Sequence, residues 1–128
     1  MWAADTNVLV RLITRDDPDQ TKTAEKFLAQ GVWVSSLVLA ETVWVLANVY
    51  DLNPAGQAQA VETILEHGQI VVEDSSVAVA ALNRFRNHPN VGFYDFMILE
   101  TARKAGNLPL GTFGRRLSKE PGAHRLGA

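Results

Sequence analysis

The sequence predicts an α/β fold with three α/β/α layers, in which helices cover both faces of a central parallel sheet of four to five strands. Short apolar runs that read as strands alternate with longer helical segments along the whole chain. Such alternation favours parallel strands joined by helical crossovers. Hydrophobic residues make up 47% of the 128 residues and charged residues 20%, as in a globular protein with its own core. We therefore expect residues 1–128 to form a single domain.

The elements are placed by helix caps, helix stops and strand composition. Asp17 before Pro18 and Asn53 before Pro54 are typical helix starts, and glycine is a typical stop. The predicted order is a strand in WAADT, helices in NVLVRLIT and DDPDQTKTAEKFLAQG, a strand in VWVS, helices in SLVLAETVWVLANVYDL and NPAGQAQAVETILEHG, a strand in QIVVED, helices in SVAVAALNRFRNHP and FYDFMILETARKAG, and a strand in LPLGTF.

Asp5 follows the first predicted strand. Ligands of open parallel sheets bind at the carboxyl ends of the strands, where the strand order changes direction. Asp5 would lie at that edge, although it also suits the cap position of the next helix. Asp95 is a second acid at a predicted helix start, where an N-cap role is the plain alternative.

Glu41 lies in a helix that is apolar almost all round, which predicts a buried helix. A buried carboxylate is costly unless it is paired or binds a metal ion. No cation lies at helical spacing from Glu41, so either a metal ion or a distant cation must be its partner. Three acids gathered at one sheet edge would suit Mg²⁺ or Mn²⁺, which prefer oxygen ligands.

The charge is distributed unevenly along the chain. The net charge is −2, but residues 84–128 hold eight Lys/Arg against three Asp/Glu. This basic third could face a polyanion such as RNA, or it could be a solvated surface with cations at helix C-termini.

Several other functions find no support in the sequence. The chain has no cysteine, which excludes disulfides and thiolate chemistry and suits a cytoplasmic location. We expect no signal peptide, since MWAADTN lacks a basic region followed by an apolar core, and no membrane span. The histidines are scattered and are interpreted as structural or surface residues. The tryptophans lie in apolar runs that predict core positions first and stacking platforms second.

Three segments in order resemble the PIN domains, specifically the VapC-type toxin ribonucleases: ADTNVLVRLITRDDPDQ, VSSLVLAETVWVL and FYDFMILETARKAGNLPLGTF. The resemblance implies a Mg²⁺- or Mn²⁺-dependent endoribonuclease whose metal-site acids are Asp5, Glu41 and Asp95. It implies supporting roles for Thr6 and Asn7, and we expect the Thr112 hydroxyl to support the site as well. It also implies a homodimer that binds an antitoxin protein. The basic residues that follow the last strand, and that we expect to contact RNA phosphates, are Arg115, Arg116 and Lys119.

The sequence departs from this family pattern at TFGRRL, where Gly114 replaces the usual acid. The site then has one carboxylate fewer, and a second metal position loses a ligand. Two hypotheses follow: a metal-dependent endoribonuclease, or a catalytically weakened module that binds RNA or a protein partner without efficient cleavage.

Overall fold

The computed structural model describes residues 1–127, which form two compact units, one of Met1–Ser75 and one that begins at Ser76. The first contains β1 (Trp2–Ala3), α1 (Thr6–Thr14), α2 (Pro18–Ala29), β2 (Val32–Val34), α3 (Ser36–Asn48), α4 (Pro54–Glu66) and β3 (Ile70–Val72). The second contains α5 (Ser75–Asn87, starting at the boundary), α6 (Phe93–Lys104), β4 (Leu110–Thr112), a 3₁₀ turn (Leu117–Lys119) and β5 (Ala123–Arg125).

The first unit is a three-stranded parallel sheet in the order β1-β2-β3 with four helices. Ala3 pairs with Trp33, which pairs in turn with Val71. Val32 and Val34 of the central strand are fully buried, because their side chains alternate with that of Trp33 and share one face. The predicted N-caps are confirmed, since Asp17 accepts a hydrogen bond from the Gln20 amide and Asn53 from the Gly56 amide.

Helix α3 corrects the prediction that this segment is buried all round. Leu39, Val43 and Leu46 are buried, whereas Leu37 is 70% and Trp44 53% exposed. Glu41 is exposed as well. It lies four residues after Leu37 and three residues before Trp44, so the three side chains share one side of the helix. The burial argument for Glu41 is therefore wrong, and its place in a site must rest on its contacts.

The second unit contains two parallel strands, β4 and β5, and a core of aromatic side chains. Phe85 of α5 and Phe93 of α6 are buried and meet edge to face, with ring centroids 6.1 Å apart. Strand β5 was not predicted, because the sequence Ala-His-Arg contains no β-branched or aromatic residue of the kind that is enriched in strands.

The tryptophans also differ from the prediction of core positions. Trp2 is 68% exposed and touches Phe27 edge to face, and Trp33 and Trp44 are exposed too. Within the described residues, the core is formed by aliphatic side chains and by phenylalanines.

Residues 1–127 contain six helices and five strands, all paired in parallel, which is consistent with the predicted three-layer α/β/α class. That residues 1–128 form a single domain stays a prediction. None of the helices in this part of the chain combines the length and the apolar character that a bilayer crossing requires.

Candidate functional site

In the first unit, Thr6 joins two of the predicted site acids. Asp5 caps α1 and accepts a hydrogen bond from the Thr6 amide, with 2.6 Å between the Thr6 nitrogen and Asp5 Oδ1. The buried Thr6 hydroxyl donates to Oε1 of Glu41 over 2.7 Å. Both carboxyl groups are exposed. Thr6 therefore links the two acids through its amide and its hydroxyl, although 35 residues separate Thr6 from Glu41.

The local fold explains why these residues meet. Strands β1 and β2 are parallel neighbours, so their carboxyl ends lie at the same edge of the sheet. Asp5 follows β1, and Ser35, which follows β2, caps α3 by accepting a hydrogen bond from the Val38 amide. Glu73, which follows β3, accepts another from the Ser36 amide. With the start of α3 fixed at this edge, Glu41 reaches Thr6.

Asn7 is the second residue of α1 and is exposed. It lines a surface groove between α1 and α2 that also includes Val8, Arg11 and Phe27. A supporting role for Asn7 toward the acids stays a prediction.

In the second unit, Asp95 is the third residue of α6 rather than its cap. The helix begins at Phe93, and the N-cap residue is Gly92, which offers no side-chain acceptor. Asp95 is half-buried, and this burial raises the pKa of its carboxyl above the ordinary value. None of the described residues 76–127 donates a hydrogen bond to the Asp95 carboxylate that would offset this cost.

Asp95 lines a groove of about 450 Å³, called here the Asp95 groove. Several residues that the sequence singled out lie together in its wall. The lining includes Asn90, Gly92, Asp95, Thr112, Gly114, Arg115 and Arg116. Lys119 ends the 3₁₀ turn, is exposed, and does not line the groove.

The loop after β4 is held by hydrogen bonds of its backbone and of the Thr112 side chain. The Thr112 hydroxyl accepts a hydrogen bond from the Gly114 amide over 3.0 Å, and the Gly114 carbonyl accepts one from the Ser118 amide over 3.0 Å. Arg116 Nη1 donates to the carbonyl of Asn90 over 3.3 Å. The predicted supporting residue Thr112 therefore fixes the loop that carries both arginines.

The donor atoms of the described residues determine how well the chain fits a divalent ion. Across residues 1–127 there is no group of three or more His, Asp or Glu side chains placed to hold a metal ion. Asp5 and Glu41 alone supply two exposed carboxylates, and Mg²⁺ is commonly held by one or two carboxylates with waters and substrate phosphates. The first unit therefore fits a Mg²⁺ site of this open kind, and the convergence of Asp5, Glu41 and Asp95 on one ion stays a prediction.

Glu100 is a charged residue that sequence reasoning missed. It is only 6% exposed, and its Oε2 lies 3.0 Å from Arg84 Nε and 3.2 Å from Arg103 Nε. Arg103 also donates to the carbonyl of Pro121 over 2.6 Å. The i,i+3 spacing of Glu100 and Arg103 was the available signal. These contacts tie α5, α6 and the turn before β5 together, so Glu100 is structural.

Replacing Asp95 by asparagine is expected to raise the free energy of unfolding at pH 7 by less than about 1 kcal/mol, because solvent screens a carboxylate that is only half-buried. A carboxyl whose pKa is raised by folding is neutral in both states below its ordinary pKa of about 3.9. The gain should therefore be absent at pH 3, should grow as the pH rises through the raised pKa of Asp95, and should stay constant above it.

Urea unfolding of both proteins at pH 3 and pH 7 measures this gain. Asp19→Asn is the matched control, because Asp19 is also an acid in the first turn of a helix but is exposed. An Asp95→Asn protein that is no more stable at pH 7, or equally stabilised at pH 3, would show that burial of this carboxylate is not costly.

Comparison with known proteins identifies one family. The model of the PIN domain matches residues 3–121, which span both units. PIN domains are typically nucleases, generally dependent on divalent metal ions such as Mg²⁺. No curated protein and no solved structure gives a significant match.

Proposed function

Because the chain belongs to the PIN domain family, we propose that it is a Mg²⁺- or Mn²⁺-dependent endoribonuclease, the toxin of a VapBC-type toxin–antitoxin pair. The observation that carries the proposal is the link through Thr6, whose amide bonds the Asp5 carboxylate and whose hydroxyl bonds the Glu41 carboxylate. A divalent cation bound by two carboxylates offsets the repulsion between them.

Each residue has a role in this proposal. Asp5, Glu41 and Asp95 hold the ion, and Thr6 orients two of them. When bound, the ion would lower the pKa of a water molecule and neutralise negative charge on the phosphodiester.

The basic residues act on the substrate rather than on the ion. Arg115 and Arg116, with Lys119 beyond the groove, contact the RNA backbone, where cations lower the cost of bringing a polyanion to acids. Thr112 fixes the loop that carries them.

The proposal is tested by incubating the purified protein with a structured RNA in the presence of Mg²⁺ and in the presence of EDTA. Internal fragments with Mg²⁺ and none with EDTA are expected. Release of mononucleotides from an end would contradict the endonuclease assignment, and equal cleavage in EDTA would contradict the metal dependence.

An antitoxin protein and a second copy of this chain are the proposed partners, in the cytoplasm. Support comes from the resemblance to VapC-type toxins and from the large apolar side chains that α3 leaves exposed, Leu37 and Trp44. Exposed apolar side chains of this size favour a protein partner. Co-expression with a small DNA-binding protein encoded beside this chain, followed by co-purification, tests the pairing.

A second candidate function, a weakened RNA-binding module, is favoured by Gly114. The Asp95 groove contains one carboxylate and two arginines, so it offers an ion few ligands. A Cβ at position 114 would lie 3.3 Å from Thr112 Oγ1 and 3.7 Å from Leu117 Cβ. A small shift of the Thr112 side chain would therefore admit an acid.

We expect Gly114→Asp to raise Mg²⁺-dependent RNA cleavage by about tenfold or more, the scale on which lost ligand support lowers the activity of metal sites. Initial cleavage rates across a Mg²⁺ titration measure this. Gly68→Asp is the control for added charge, because a Cβ at Gly68 meets no atom within 4 Å. Equal rates for Gly114→Asp and the parent chain would show that the existing acids suffice.

A further inference from the structure

Phe113 is the most exposed aromatic ring of the chain as described, at 76%. The other phenylalanines of the second unit, Phe85, Phe93 and Phe96, are buried in its core. No aromatic ring among residues 76–127 pairs with Phe113. An exposed phenyl ring on a loop is therefore available to a ligand.

The ring is held in place by its neighbours. Thr112 ends β4, and its carbonyl accepts a hydrogen bond from the Leu126 amide over 2.8 Å. On the other side, Gly114 is bound to Thr112 and to Ser118 through its amide and its carbonyl. Because both adjacent residues are fixed, Phe113 loses little backbone freedom when a ligand binds.

The Asp95 groove begins at these same neighbours, since Thr112 and Gly114 both line it. Its wall contains two guanidinium groups, Arg115 and Arg116, against the single carboxyl of Asp95. Arg116 uses one N–H group on the Asn90 carbonyl and has further donors in its planar fork.

The start of α6 adds partial positive charge to the Asp95 groove. Gly92 lines the groove and leaves the first N–H groups of the helix without a side-chain cap, and such a helix end favours an anion. The groove therefore has the chemistry of an anion site, and it lies next to an exposed aromatic ring.

We propose that this region binds one nucleotide of single-stranded RNA without a metal ion, with the phosphate on Arg115 and Arg116 and the base stacked on Phe113. Arginine forks match phosphate oxygens, and bases of unpaired strands stack on aromatic side chains. In a duplex the bases stack on one another, so their faces are closed to Phe113. The inference deepens the proposed ribonuclease function, on which it rests, by naming an unpaired nucleotide as the substrate element recognised.

The test is fluorescence anisotropy of a labelled RNA heptamer in EDTA, where metal-dependent cleavage cannot occur. The probes are the single strand, the same strand with abasic sites, and its duplex, with inorganic phosphate as competitor. The variants are Phe113→Leu, Phe113→Tyr, and the double variant Arg115→Gln with Arg116→Gln. Lys22→Gln with Lys26→Gln is the matched control, because it removes two exposed cations from α2 in the first unit.

Phe113→Leu should weaken binding of the single strand about tenfold, within the range measured for base stacking. It should leave binding of the abasic strand unchanged, and Phe113→Tyr should bind like the parent chain. The double arginine variant should weaken binding of both strands and reduce the slope of log affinity against log salt by about 1.4, for two phosphate contacts on a single strand. The lysine control should change affinity less.

Equal binding by Phe113→Leu and the parent chain, or an equal loss on the abasic strand, would overturn the stacking role. An arginine effect no larger than the lysine effect would overturn the phosphate site, and inorganic phosphate that binds as tightly as the heptamer would overturn the assignment to RNA. The proposed function is judged separately by cleavage with Mg²⁺. Cleavage without any Phe113 effect overturns this inference alone, and a Phe113 effect without cleavage overturns the nuclease proposal alone.

Discussion

Asp5→Asn is expected to reduce Mg²⁺-dependent RNA cleavage by about 100-fold or more, with the fold retained. Loss of a group that only supports a metal ligand costs about 10- to 100-fold in activity, so loss of a charged ligand should reach at least the upper value. Asparagine has the same shape and is an equally good N-cap, so the bond from the Thr6 amide that starts α1 can still form.

Initial cleavage rates at saturating Mg²⁺ measure this loss, and urea unfolding checks that the chain remains folded. Asp95→Asn should show a similar loss of activity. Asp19→Asn, the same change at an exposed acid of α2, should cleave like the parent chain. Unchanged cleavage by Asp5→Asn would rule out a metal-ligand role for this residue.

Glu100→Gln is expected to lower the free energy of unfolding by about 2 to 3 kcal/mol. Removing one partner of a buried ion pair costs about 3 to 5 kcal/mol, and the cost here is lower because the arginine side chains are 28% and 34% exposed. Glutamine keeps one oxygen acceptor but no charge, which leaves the guanidinium groups of Arg84 and Arg103 without their counterion.

Glu25→Gln is the matched control. Glu25 lies 2.7 Å from Arg15, but both side chains are about half exposed, so the loss should stay below about 1 kcal/mol. Urea unfolding at pH 7 compares the two variants. Equal stability losses would show that the Glu100 cluster is no stronger than a surface ion pair.

Local signals in the sequence predicted most of the elements. The caps at Asp17 and Asn53 were confirmed because a cap depends on a few neighbouring residues and on one side-chain acceptor. Strand β5 escaped prediction because its pairing with β4, and not its composition, makes it a strand.

The environment of the candidate site was harder to predict than the elements. Glu41 was singled out for burial that the structure does not show, and its role in a metal site stays a prediction. An almost uniformly apolar helix gives no periodicity from which its exposed side can be found. The same limit applies to Trp44, which shares that side of α3.

The contact that defines the site, from the Thr6 hydroxyl to Glu41, is also invisible in the sequence. It depends on the parallel pairing of β1 with β2. Glu100, whose partner Arg103 is three residues away, carried a local signal that the acids of the site lack.

The central claim is that Asp5, Glu41 and Asp95 hold one divalent ion. The most direct test is anomalous scattering from crystals of this chain soaked in Mn²⁺, which locates the ion and its ligands without reference to activity. We predict one Mn²⁺ peak within about 2.5 Å of carboxylate oxygens of all three residues, since oxygen ligands bind such ions at about 2.0 to 2.6 Å. A peak that none of these acids contacts, or no peak at saturating Mn²⁺, would contradict the account.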